Sequence, residues 1–550
     1  MTDTRLWKSD LGNKYINPVI FADYSDPDVI RVGDTYYMTA SSFNYTPGLP
    51  ILTSQDLVNW ELKNYALENI PGEQFKHPLH SKGVWAPAIR FHEGYFYIYY
   101  GMPDEGIFMV KAKDPLKKWD EPVCVLEGKG LIDPCPWWDK DGKAYVVHAY
   151  AKSRIGFKSI LGLFEMSSDG TKAITEDHFI FDGQETQITI EGPKVYKRNG
   201  YFYIFAPAGG VKTGWQTVLR AKDIHGPFEE RIVMAQGNAK TNGPHQGAWV
   251  EAKKGESWFI HFQDKGLYGR VTHLQPMRWV DDWPIIGIAD ADAICGEPVA
   301  EYKKPSVDIT TKKTSTYLEA SDDFSLSLDK VARRKLKGEP KLGLQWQWTG
   351  NHYDSFYSLL EREGLLTLKA INPNKIEAPT IFTLPNVLTQ KIITPYFVST
   401  TRMAFSQMQN NEICGMSLMG GNYAHIAVWM HDDKKEVIFT EGGEDSEGKM
   451  TENRKTICEI PPYVNSIMFS ISLSLKDEEN TVDPILVKGS DLKCEFSYAL
   501  PESMITKVET DFMPVDHTWV GAKIGLFAYA TDCMEHQGEA VFDFIGVDAL

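Results

Sequence analysis

The sequence lacks a long apolar run, lacks paired cysteines and is short of positive charge. No stretch approaches the roughly 18 consecutive apolar residues that a membrane-crossing helix requires, so a helical span is excluded. Lys and Arg number 57 against 74 Asp and Glu, a formal net charge of −17. Nucleic acid and anionic membrane surfaces both select a basic face, so neither is expected as a partner. The seven cysteines are scattered at 124, 135, 295, 414, 458, 494 and 533. That spacing holds neither a zinc-type pair nor a disulfide framework. Residues 1–14 are polar and carry no apolar signal core, which with the unpaired cysteines points to a cytoplasmic protein. Helix signals are also few.

What is present is length, aromatic content and repetition. A chain of 550 residues exceeds one hydrophobic core, so at least two domains are expected. Apolar residues make up 43% and aromatic ones 12%, the composition of a globular chain with ring surfaces to spare. One pattern occurs five times: a strand, a glycine-bearing turn, then an aromatic-rich strand. The copies are IRVGDTYYMTAS (30–41), IRFHEGYFYIYYG (89–101), WWDKDGKAYVVHAY (137–150), VYKRNGYFYIFAPAG (195–209) and VEAKKGESWFIHFQD (250–264). Their turn glycines, Gly33, Gly94, Gly142, Gly200 and Gly255, lie 61, 48, 58 and 55 residues apart. Each copy reads as a β-hairpin. TSQDLVNW (53–60), KAKDPLKKW (111–119) and RAKDIHGPF (220–228) read as the outer hairpin of the same unit. Five four-stranded units of this length make a β-propeller, in which radial stacking supplies the core that no blade can form alone.

The repeats end near Trp283, and residues 291–322 read as a connector. From Asp323 onward, short strand-like runs alternate with polar turns, among them LLTLKAI (365–371), AHIAVWM (424–430), SIMFSISLSL (466–475) and AVFDFIGV (540–547). That spacing predicts a β-sandwich over 323–550. The whole chain is expected to be all-β, with the propeller over 15–290.

Before each turn glycine stands a chemically distinctive residue next to a proline: Asp26, Trp85, Asp133, Glu191 and His245, beside Pro27, Pro87, Pro134, Pro193 and Pro244. The first strand of a propeller blade lines the axis, so these positions are expected to converge at its mouth. Proline supplies no N–H and biases its predecessor toward extended backbone, so it is expected at strand starts, stiffening the carboxylate before it. Taken singly, an Asp-Pro or a Glu-Gly-Pro is a turn, and Trp85 is a core residue. Recurrence at one register is what packing does not explain. Three carboxylates held close drive their pKa values apart, leaving one base and one acid at neutral pH. That is the apparatus of glycosidic-bond hydrolysis, in which the carboxylate gap decides between inversion and retention. Phe43, Trp85, Trp137, Trp138 and Trp215 are candidate sugar-stacking rings near the rim. His245 reads as a structural histidine, a substrate contact or an axial metal ligand. Cys135 reads as a small buried filler.

The chain resembles glycoside hydrolase family 43, in its β-xylosidase/α-L-arabinofuranosidase group. The resemblance lies in NPVIFADYSDPDVIRVGDTYYMTASSF (17–43), GVWAPAIRFHEGYFYIYYG (83–101), LIDPCPWWDKDGKAYVVHAY (131–150), IEGPKVYKRNGYFYIFAPAGG (190–210) and GRVTHLQPMRWVDDWPIIG (269–287), in family order. Residues 323–550 resemble the concanavalin-like sandwich that follows the propeller in this group. The resemblance implies an exo-acting, inverting glycosidase of plant-derived oligosaccharides, releasing terminal xylose or arabinofuranose. It implies Asp26 as general base, Glu191 as general acid and Asp133 as the carboxylate that tunes and orients the acid. Phe43 and Trp85 match aromatic walls of the −1 sugar site, and Arg270 matches the arginine that contacts sugar hydroxyls. Trp215 stands where related sequences place an aromatic after the acid's blade strand. His245-Gln246-Gly247 departs from relatives whose histidine lies one position later, so either His245 or Gln246 is expected to face the pocket. Ser25 replaces the Pro or Ala often found before the base. The resemblance implies no cofactor for the chemistry, leaves room for a structural calcium on the axis, and extends to homo-oligomers built through the sandwich. The segment 512–521, with His517 and Trp519, is the candidate loop by which the sandwich closes the pocket. Rival readings are an endo-arabinanase of the same family, a fructan-processing propeller, and a non-catalytic sugar-binding propeller.

Overall fold

The computed structural model describes residues 6–306, 318–326, 341–445, 447–477, 483 and 486–550. Residues 307–317 of the expected connector, and 1–5 of the N-terminal segment, lie outside the described residues. Five four-stranded antiparallel sheets follow one another along the chain, each ordered as a simple meander from its first strand to its fourth. The first strands are Asp28–Val32, Trp85–His92, Leu131–Trp138, Lys194–Arg198 and His245–Glu251. Each of the five repeats forms the inner hairpin of a blade. The three echo motifs form the outer turn between third and fourth strands, as in Gly48–Ser54 followed by Trp60–Leu67. Aromatic second strands such as Tyr95–Met102 and Tyr201–Ala208 are buried almost throughout, because each lies between neighbouring blades.

Beyond the blades, two seven-stranded sheets carry the C-terminal half. One contains Lys523–Ala530 between Val387–Lys391 and Glu412–Met419; the other contains Glu539–Ala549 between Leu366–Lys369 and Phe397–Ala404. Their facing surfaces alternate inward apolar residues such as Ile467, Phe469, Ile471 and Leu473, the period-2 pattern of a sandwich. The stretch Glu301–Lys303 of the connector pairs antiparallel with Lys14–Ile16, so the two ends of the propeller segment meet. The longest α-helix among the described residues is the single turn Lys152–Ile155.

The sandwich is packed onto the propeller. One apolar cluster runs from Tyr15, Phe21 and Trp60 of the first half to Trp346, Phe397 and Ile426 of the second. Backbone contacts add to it: Trp348 N–H donates to the Thr46 carbonyl at 2.6 Å, and Asn44 Nδ2 donates to the Thr349 carbonyl at 2.7 Å. Asn44 is thereby buried.

Candidate active site

Each blade places a residue of left-handed backbone at the axial end of its first strand: Asp26 (φ 56°), Ala86 (φ 33°), Asp133 (φ 58°), Gly192 (φ 58°) and Gln246 (φ 31°). This corrects two expectations. Asp26 and Asp133 precede prolines yet are not extended; proline excludes the right-handed helical region for them, and the chain takes the left-handed one. Trp85, Glu191 and His245 stand one residue before the left-handed position, so the five do not share one register. Bulges accompany the distortion at Trp85/Ala88, Ile132/Cys135 and His245/Gly247. Such bulges re-aim side chains at the rim of a sheet, and they absorb the prolines in the second and third blades. Left-handed backbone at a non-glycine residue costs on the order of 1 kcal/mol. Five of the ten expected site residues, Asp26, Phe43, Asp133, Gln246 and Trp519, adopt it.

Asp26 is buried and fully partnered. Ser41 Oγ donates to its Oδ2 at 2.6 Å and Ser25 Oγ at 2.9 Å. Arg270 Nη1 donates to Asp26 Oδ1 and to Ser25 Oγ, both at 2.9 Å. The guanidinium lies over the Phe262 ring, 4.5 Å from its centroid, which fixes the plane in which it meets the carboxylate. Ser41 Oγ also accepts the Ala86 N–H at 2.7 Å, tying this partner of Asp26 to the second blade.

Asp133 is 4% exposed, and Gly192 N–H donates to its Oδ2 at 2.8 Å. Burial, then the neighbouring carboxylates of Glu191 and Asp26, push its carboxyl well above the usual range. It is the middle member of the three, within electrostatic reach of both others. Glu191 lies on the other side of Gly192, with His245 Nε2 at 2.9 Å from its Oε1. Burial raises the Glu191 carboxyl, but the hydrogen bond and charge of His245, then Arg270 and Lys158, outweigh it and bring the group below its ordinary value. The Glu191 side chain is nevertheless 28% exposed. Of the two carboxylates, only Glu191 is exposed to solvent.

Below the carboxylates the axis is filled with cations and soft atoms. Arg90 Nη1 donates to Asp28 Oδ2 at 2.7 Å and its Nη2 to Cys135 Sγ at 3.0 Å. Lys194, fully buried, donates to the Pro87 carbonyl at 3.1 Å. Cys135 also accepts the Val195 N–H at 3.2 Å, so it joins three blades rather than merely filling space.

The aromatic walls assemble from both domains. Phe43, Trp85 and Val520 share one apolar cluster, with Trp215 and Trp519 packed against it. Trp519 meets Trp85 edge-on at 4.6 Å, the centroid spacing favoured for perpendicular rings. Trp85 Nε1 donates to the Ser81 carbonyl at 3.0 Å. Trp215 Nε1 donates to Gln187 Oε1 at 2.9 Å, and its ring lies where a Cβ at Gly209 would come within 2.5 Å. The Gln246 side chain covers Gly192, where an added Cβ would meet it at 2.7 Å. His245 and Gln246 therefore both belong to the site, one beside the Glu191 carboxyl and one over the following peptide.

Trp137 and Trp138 do not. They lie at the far end of Leu131–Trp138 from Asp133, where Trp138 stacks on His92 at 4.7 Å and Trp137 meets Phe202 at 6.2 Å. A strand of this length carries its last residues roughly 15 Å from the axial end. As for a metal, His245 turns Nε2 toward Glu191, and among the described residues no three His, Cys, Asp or Glu side chains gather as a donor set. The residues present do not fit a metal ion at His245.

Sequence reasoning missed Ser41, Asp23, Arg154 and Lys158. Arg154, in the single helical turn, lies 5.3 Å over the Trp85 ring and is held by Asp104 through Nε (3.0 Å) and Nη2 (3.2 Å). Nothing in the local sequence signals this contact, which depends on where the third blade's loop returns.

The profile described as Glycosyl hydrolases family 43 matches residues 15–284, and that of the Beta xylosidase C-terminal Concanavalin A-like domain matches 338–548. A Xylanibacter ruminicola protein assigned as a beta-xylosidase is 41% identical over 444 residues, covering 80% of this chain and 76% of its own. A non-reducing end alpha-L-arabinofuranosidase of Bacteroides ovatus is 31% identical over 408 residues, covering 68% of this chain and 69% of its own. Among solved structures, a bifunctional GH43-CE protein of Bacteroides eggerthii superposes with a TM-score of 0.76 at 26% identity, over 97% of this chain and 64% of that one.

Proposed function

Because the chain belongs to glycosyl hydrolase family 43, we propose that it is an exo-acting, inverting glycosidase that removes terminal xylose or arabinofuranose from plant-derived oligosaccharides. The observation that carries this reading is the set of three buried-rim carboxylates with three distinct environments: Asp26 on Arg270, Asp133 enclosed, and Glu191 beside His245 and open to the pocket. Asp26 takes a proton from the attacking water while Arg270, Ser25 and Ser41 hold its orientation. Asp133 and Glu191 hold one proton between them. Asp133 is its resting place in the empty site, since burial and the neighbouring carboxylates outweigh the Gly192 N–H and the Lys194 charge that favour ionisation there. Glu191, the exposed member, delivers it to the leaving oxygen. Phe43, Trp85 and Trp519 enclose the terminal sugar, and the wall formed by Trp519 and Val520 favours a pocket over the open cleft that an endo-arabinanase needs.

The names of the relatives support both sugars, β-D-xylopyranose and α-L-arabinofuranose. Side-by-side assay of the two nitrophenyl glycosides, together with a xylo-oligosaccharide, tests the reading. Monosaccharide release from the chain end supports it, and binding without turnover would make the protein a sugar-binding propeller instead. The same assay tests Glu191. Glu191→Ala should lose about 10²–10⁴-fold on the oligosaccharide and far less on a nitrophenyl glycoside, whose leaving group needs no proton. Equal losses would remove Glu191 from the acid's role.

A further inference from the structure

Three residues before Asp26 stands a second buried aspartate that the proposed chemistry does not use. Asp23 is 5% exposed, and its two oxygens face different domains. Oδ1 accepts the backbone N–H of Arg270 at 3.0 Å, and Oδ2 accepts the backbone N–H of Gly521 at 3.0 Å. Lys523 Nζ lies 3.7 Å from Oδ2. Arg270 is the residue that holds Asp26, and Gly521 lies two residues after Trp519 in the sandwich loop.

The joint is built without spare volume. A Cβ on Gly269 would lie 2.4 Å from the Asp23 carboxyl carbon, and a Cβ on Gly521 would lie 2.5 Å from the Gly269 nitrogen. Gly269 also has a φ of 73°, a conformation that glycine adopts freely. Two glycines thus let two backbones close on one carboxylate. A buried carboxylate that accepts two backbone N–H groups fixes both chains in direction as well as distance.

We propose that Asp23 is a positioning residue that sets the arginine partner of the base and the sandwich's aromatic wall from a single side chain. One oxygen fixes where Arg270 begins, and through it the orientation of Asp26. The other fixes Gly521, and through it the left-handed Trp519 (φ 68°) that meets Trp85. The sandwich is then part of the active site by hydrogen bonding as well as by packing. This inference rests on the catalytic reading of Asp26 and Trp519 given above.

The test is a double-mutant cycle on whichever nitrophenyl glycoside the parent hydrolyses, comparing Asp23→Asn, Trp519→Ala and the double variant. Asn keeps the shape, but one acceptor becomes an amide donor that cannot accept an N–H and the other loses the carboxylate charge, so both contacts weaken. Asp23→Asn should lower kcat through Arg270 and raise KM through Trp519, for a combined loss in kcat/KM of about ten- to a hundred-fold. In the Trp519→Ala background the KM effect should disappear and the kcat effect should remain. Parental kinetics in Asp23→Asn would overturn the proposal, and so would identical changes in both parameters in both backgrounds, the signature of a residue that serves folding alone. Should Asp23→Asn not fold, Gly521→Ala disturbs the same joint from the sandwich side. Its KM rise should likewise vanish without Trp519, and an undiminished rise would overturn the proposal. A parent that hydrolyses no glycoside would instead overturn the catalytic reading, which keeps the two failures apart.

Discussion

Asp133 and Glu191 are separated by one glycine peptide and by opposite electrostatic surroundings. The enclosed carboxyl is raised and the exposed one is drawn down by His245, yet the two are coupled through their charges. With Asp133 replaced by Asn, the Glu191 carboxyl titrates alone, without the second negative charge that otherwise keeps the last proton on the pair, and loses its proton at lower pH. The alkaline limb of the kcat/KM profile should therefore move to lower pH in Asp133→Asn. A profile whose alkaline limb stays in place would show that Asp133 does not share the acid's proton. The residue types were legible in the sequence because carboxylates beside prolines recurred before the turn glycines. Their division of labour was not, since it depends on which oxygen meets Gly192, His245 or Arg270 across blades.

At the scale of elements, the inner hairpins were readable because alternating aromatic strands around a glycine turn have one stable use. Strand limits in SIMFSISLSL (466–475) are reproduced by Ser466–Leu475. Gln347–Trp348, by contrast, is only a two-residue edge strand beside Val387–Lys391, and Trp348 also bridges to Thr46 of the propeller. The mistaken register arose for a related reason: bulges insert a residue where strands meet the axis, and a bulge has no composition of its own. The sandwich loop was placed by likeness, and its anchoring by Ser81, which binds His517 and the Thr518 carbonyl, follows only from the fold. This loop's contribution should show in binding. Trp519→Ala removes a perpendicular ring partner of Trp85, worth on the order of 1 kcal/mol, and should raise KM about fivefold with kcat nearly unchanged. A fall in kcat at constant KM would place Trp519 at the reacting atoms instead of the wall.

Across the whole molecule, joining two domains over Arg270 buries charge. Lys391 pairs across strands with Lys523, and burial, then the Lys523 charge, lower its ammonium to about 7 despite the attraction of Asp23. The sign follows from linkage. An unfolded lysine holds its proton up to about pH 10.5, whereas the folded one releases it near 7, so folding loses stability as pH falls between these values. Lys391→Met should then raise the melting temperature by a few degrees at pH 6 and by much less at pH 10. Equal gains at both pH values would assign the effect to packing alone.

The account as a whole stands on the split between a base that activates water and an acid that protonates the departing oxygen. Proton NMR of the sugar first released from a β-xyloside measures that split most directly. Inversion predicts that α-xylose accumulates first and then mutarotates, whereas initial β-xylose would mean a covalent intermediate and would contradict the roles given to Asp26 and Glu191.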